Sequence, residues 1–92
     1  MSIKKYDISL FLSPALCRAA RGLLGWTQGE LSEKAHLGRS TVADFERGTR
    51  LPTRNNLVAM VETLENGGME FIPENGEGGA GVRFRVPGKS GP

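Results

Sequence analysis

Residues 27–48 read TQGELSEKAHLGRSTVADFERG, and their spacing describes two short helices with a tight link. Thr27 and Glu30 are placed as a capping box, in which each side chain satisfies the other's free backbone N–H. Trp26 and Leu31 have the spacing of a hydrophobic staple across the same turn. This predicts a helix over 28–35 with Leu31 and Ala35 facing inward. Leu37 and Val42 repeat the staple around Gly38, so the next helix is expected to start there and to end at Gly48. Only three or four residues separate the two helices. A link that short forces a sharp angle between them rather than an antiparallel hairpin.

The faces of the second of these helices disagree. Val42 and Phe45 are apolar and three apart, so they share a side. Arg39, Ser40, Ala43, Asp44 and Arg47 fall opposite. That outer face is too small and mixed for a packing surface, and too compact for a mere solubilising shell.

The flanks are punctuated in the same way. Ser13-Pro14 is a helix start, since serine caps and proline suits the first helical position. Leu16, Ala20, Leu23 and Leu24 follow as a helical stripe that Gly25 ends. After Gly48, Thr53 is the expected cap of a fourth helix, which carries Leu57, Met60, Val61 and Leu64 at i, i+3, i+4 and i+7. Residues 1–12 form an N-terminal extension in which Tyr6, Ile8, Leu10 and Leu12 alternate with Asp7, Ser9 and Phe11, a period of two that suggests a strand. Residues 67–92 hold eight of the thirteen glycines and three of the five prolines. There MEFI at 69–72 and VRFRV at 82–86 flank the turn NGEGGAG, which reads as a β-hairpin. PGKSGP at the end reads as a disordered tail. The expected division is therefore 1–12, a helical domain over 13–66, and 67–92.

Composition narrows the function classes. Ninety-two residues suit one small domain with a modest core. There is no signal-peptide pattern, and no apolar run approaches the roughly 20 residues of a membrane span. The single cysteine, Cys17, cannot form an internal disulfide, which favours a reducing cytoplasm. It is expected at a helix interface. The net charge is only +2, but Arg39, Arg47, Arg50 and Arg54 crowd into one stretch against Asp44 and Glu46. By charge count alone that stretch is a solvated surface.

TQGELSEKAHLGRSTVADFERG resembles the helix-turn-helix of the XRE family, which includes the lambda-type phage repressors and Cro. Gln28 stands at the family's first-position glutamine. Ser32 takes the small position where the two helices approach, and Val42 and Phe45 take the two apolar core positions of the recognition helix. Glu46-Arg47-Gly48 matches the common ending. The resemblance covers residues 13 to about 66 and implies a mainly α, lambda-repressor-like bundle of four short helices. Here it is joined to an N-terminal strand and a C-terminal β-hairpin. His36 departs from the pattern, because the family has glycine at that turn, where φ is positive. Histidine tolerates that conformation better than most residues. Gly38 stands where serine is common, and glycine is itself an acceptable N-cap.

The resemblance further implies a recognition helix over about 39–47, lying in the major groove of double-stranded DNA. Its base contacts would be Arg39, Ser40, Thr41, Ala43 and Asp44. Arg39 suits guanine O6 and N7, the hydroxyls of Ser40 and Thr41 donate or accept, and Asp44 accepts from cytosine N4. Two of these have rival roles: Asp44 as an ion-pair partner of Arg47, and Thr41 as a local cap. Phosphate contacts would come from Gln28, Arg47, Arg50, Arg54 and Asn55, against plain solvation for Arg50 and Arg54. Arg21 and Glu46 match positions that form a buried salt bridge in related repressors.

No Ser/His/Asp or Cys/His constellation is present, and His36 has no partner motif. GKS at 88–90 lacks the glycine a phosphate-binding loop needs, since Arg83 stands there. The expectation is thus a non-enzymatic DNA-binding regulator without metal or cofactor, most simply a homodimeric repressor on an operator. It is placed in the cytoplasm of a bacterial or phage system and at the nucleoid when bound. The alternative is an antitoxin-type module that meets a protein partner through its Gly-rich C-terminal segment.

Overall fold

The computed structural model describes residues 11–92. The strand expected from the alternation that begins at Tyr6 lies, but for its last two residues, outside the described part. Helices α1 (Pro14–Leu24), α2 (Gln28–Ala35), α3 (Arg39–Arg47) and α4 (Arg54–Asn66) precede strands β1 (Met69–Ile72) and β2 (Gly81–Phe84). Among the described residues no helix is long and apolar enough to cross a membrane.

Short side-chain bonds set the helix starts. Ser13 Oγ accepts from Leu16 N at 3.1 Å, and Thr53 Oγ1 accepts from Asn56 N at 3.2 Å. At α2 the capping box is complete: Thr27 Oγ1 accepts from Glu30 N at 3.0 Å, and Glu30 Oε1 accepts from Thr27 N at 2.9 Å. Helix α3 differs, because Gly38 caps it with extended backbone and no side-chain bond.

The first three helices stop by one device. The residue after each turns left-handed, and the next N–H reaches back to close the last turn. Trp26 N donates to Arg21 O at 2.9 Å, Leu37 N to Ser32 O at 2.8 Å, and Thr49 N to Asp44 O at 3.0 Å. Gly25 and Gly48 adopt φ of 72° and 76° at no steric cost. His36 does so at φ 58° and is the one non-glycine residue with positive φ among those described. The strain at that turn is therefore real, and it sits inside the α2–α3 link.

One buried cluster spans all three segments of the sequence. Leu31, Val42, Phe45, Leu57, Met60, Val61 and Leu64 come from α2, α3 and α4, and Phe11, Leu12, Met69 and Phe71 join them from either side. Each such side chain contributes on the order of 1.5–3 kcal/mol by leaving water. The inward line of α1 runs through Cys17 and Ala20, both 0% exposed. Leu16, Leu23 and Leu24 of the expected stripe are only partly buried beside it. Cysteine and alanine are narrow, so α1 sits close to its neighbours while the leucines wrap its edges.

The hairpin is antiparallel, with Met69 opposite Phe84 and Glu70 opposite Arg83. Met69 and Phe71 point into the core while Glu70 pairs outward with Arg83 at 2.5 Å, the period of two that the pleat dictates. Asn75 Oδ1 accepts from Glu77 N and Gly78 N and tightens the turn. Residues 85–92 are exposed, yet the last two run beside the end of α1. A Cβ on Gly91 would lie 2.6 Å from Leu23 O, and one on Gly25 would lie 2.6 Å from Pro92 Cγ.

Candidate nucleic-acid interface

Helix α3 is held from behind and open in front. Val42 and Phe45 are 0% and 3% exposed, and Glu46 is buried to the same degree as Phe45. A carboxylate there costs free energy unless its oxygens are bonded. Arg21 of α1 supplies Nε to Oε2 and Nη2 to Oε1, both at 2.7 Å. Gln28 of α2 adds Nε2 to Oε1 at 2.9 Å. Arg21 Nη1 also donates to Trp26 O at 2.9 Å, which ties the α1–α2 turn into the same knot. Arg18 donates to the Glu46 carbonyl. One residue of α3 is thereby fastened to α1 and α2, and that fixes where the outer face of α3 points.

Electrostatics follow from this packing. Burial works to raise the Glu46 carboxyl, but the bonds from Arg21, Gln28 and Cys17 outweigh it and hold the group below the ordinary value of 4.5. The Arg21 guanidinium is pushed the other way by its bonds to Glu46, against its own partial burial, and stays charged. Burial, reinforced by the hydrogen bond to Glu46, lifts the Cys17 thiol far above its usual range. Cys17 is therefore a packed thiol rather than a reactive thiolate.

The outer face presents the residues named from the sequence. Arg39 and Ser40 are exposed, and Thr41, Ala43 and Asp44 are half-buried around them. Asp44 is paired with Arg47 three residues on, so in the free protein the ion-pair role is the occupied one. The pair is open to water, with side chains 24% and 64% exposed, and is worth little there. Arg50, Arg54 and Asn55 are exposed in the loop and first turn that follow α3.

Gln28 stands differently from the expectation. Its side-chain amide turns inward to Glu46 instead of outward to solvent. What α2 offers outward are the backbone N–H groups of Gln28 and Gly29, which precede any intrahelical acceptor. Arg39 lies over that turn: a Cβ on Gly29 would come 2.6 Å from its Nη2. A shallow groove lined by Thr27, Gln28, Gly29 and Arg39 thus joins the entry of α2 to the entry of α3. Sequence reasoning missed Arg18 and Gly29. Arg18 bonds a residue 28 positions away, and no local spacing reveals that. Gly29 carried only the signal of a glycine inside a helix, which propensity disfavours.

A helix-turn-helix family profile matches residues 18–69, from within α1 through α4 to the first residue of β1. No curated protein matches the chain.

Proposed function

The chain belongs to the XRE-type helix-turn-helix family of DNA-binding regulators, and from that premise we propose that it is a homodimeric repressor reading the major groove with α3. The observation that carries the reading is the contrast within α3. The inner face of α3 is anchored through the buried Val42, Phe45 and Glu46, while Arg39 and Ser40 are exposed at its entry. A recognition helix enters the groove with its first turn and one face.

In this reading Arg39, Ser40, Thr41 and Ala43 meet base edges, and Asp44 does so when it leaves Arg47. Arg47, Arg50, Arg54 and Asn55 take phosphates. Gln28 takes one through its backbone N–H, aided by the positive end of α2, because its side chain is spent on Glu46. The alternative is an antitoxin-type module that meets a protein partner through its C-terminal segment. Met69 and Phe71 of that segment lie in the core, while residues 74–80 and 85–92 are exposed.

A single helix-turn-helix covers few base pairs, and a dimer doubles the footprint onto half-sites about one helical turn, ~34 Å, apart. Footprinting together with sizing tests this. The expected result is a two-fold protected site and a dimeric mass. A monomer protecting a single half-site would overturn the dimer. The two ends of the chain, residues 6–12 and the 69–86 hairpin, are the candidate dimer elements. Removal of residues 1–10, which spares the buried Phe11 and Leu12, tests the first; a dimer that persists would rule that assignment out.

A further inference from the structure

We propose that Gly29 is a positioning residue for Arg39 and thereby a determinant of sequence preference. The inference rests on the reading of Arg39 as a base contact. Gly29 lies inside α2 with an ordinary helical backbone, so the fold does not require glycine there. Alanine would suit that backbone better. What the glycine does allow is a close approach. The position its Cβ would take lies 2.6 Å from Arg39 Nη2, 3.1 Å from Cζ and 3.2 Å from Nε. All three atoms belong to one guanidinium, which lies across the first turn of α2. A methyl group at 29 cannot share that space, and the side chain that must move is the flexible arginine rather than any backbone.

The consequence is a restricted Arg39. An arginine held on one side by a neighbouring helix loses less rotamer freedom when it forms a bidentate contact. A guanidinium displaced by a methyl group meets the base edge at a different angle, and the bidentate geometry to guanine O6 and N7 is what discriminates. Gly29 therefore acts on one base pair through Arg39, and leaves the phosphate contacts that set overall affinity in place.

The experiment uses the full chain and duplexes recovered by the wild-type protein from a random-sequence pool. Wild type, Gly29→Ala, Arg39→Ala and the double variant are titrated against the best duplex and its single base-pair replacements, and each protein is melted. Gly29→Ala is expected to melt at or above the wild-type temperature. It should lose about tenfold of discrimination at the same base pair that Arg39→Ala ceases to read, and keep wild-type preference elsewhere. The double variant should match Arg39→Ala there. If Arg39→Ala loses that preference and Gly29→Ala does not, the positioning role is wrong and the base contact stands. A Gly29→Ala protein that melts lower and loses preference at every position would assign Gly29 to helix packing and overturn the proposal. Should Arg39→Ala itself keep every preference, the base contact fails and this inference fails with it.

Discussion

Glu46 of α3 and Arg21 of α1 face each other through two bonds of 2.7 Å, with the carboxylate buried and the guanidinium 18% exposed. The asymmetry decides what the pair does. An exchange of both residues for apolar ones need not lose stability, but removal of one partner strands the other. The pair is best understood as fixing the orientation of α3, since its net stabilisation is limited by the cost of desolvating both groups.

Arg21→Ala is therefore expected to destabilise the fold by roughly 3–5 kcal/mol, because it leaves the Glu46 carboxylate buried without its main donor. That is a large share of the 5–15 kcal/mol typical of a domain. Urea or thermal unfolding measures it. Melting near wild type would show that water reaches Glu46 and that the pair orients nothing.

Acid should weaken the fold through the same group. The folded-state carboxyl of Glu46 is held below its ordinary value of 4.5. Its contribution is therefore fully present above that value and is lost as pH falls through the lowered one. Glu65, raised by burial, works in the opposite sense. Comparison with Glu46→Gln isolates the effect. The wild type should show the steeper loss of stability below about pH 4.5, while parallel acid limbs for the two proteins would contradict the assignment.

His36 is the next lever. Its φ of 58° costs a side-chain-bearing residue about 1–2 kcal/mol, and glycine avoids that at the expense of a freer unfolded chain. His36→Gly is expected to stabilise by about 0.5–1 kcal/mol, a few degrees of melting temperature for a domain this size. His36→Val should destabilise, since a branched side chain fits that conformation poorly. Equal melting of the three proteins would mean that the turn relaxes to negative φ in solution.

The sequence was most legible where bonds are local. Thr27 with Glu30, Ser13 with Leu16 N, and Thr53 with Asn56 N all span three residues, so spacing alone reveals them. The αL stops at Gly25 and Gly48 are as plain, because one residue type answers one backbone need. Long-range relationships left no such trace. The Arg21–Glu46 pair spans 25 positions and was reachable only through resemblance to a family. The inward turn of Gln28 depends on that same distant carboxylate, so a residue read as outward by position is drawn inward by its partner. Phe11 and Met69 belong to the core that holds the helices, although alternation and glycine content set their segments apart.

The central claim is that the outer face of α3 reads base sequence while the arginines after it grip the backbone. The most direct test is to titrate wild type, Arg39→Ala and Arg54→Ala against the cognate duplex and a random duplex over a range of salt. Arg39→Ala should lose about 1–3 kcal/mol on the cognate duplex, with random DNA bound much as before. Arg54→Ala should weaken both duplexes similarly and reduce the salt slope by about one. If both variants bound both duplexes as wild type does, at every salt concentration, α3 would not be the reading surface.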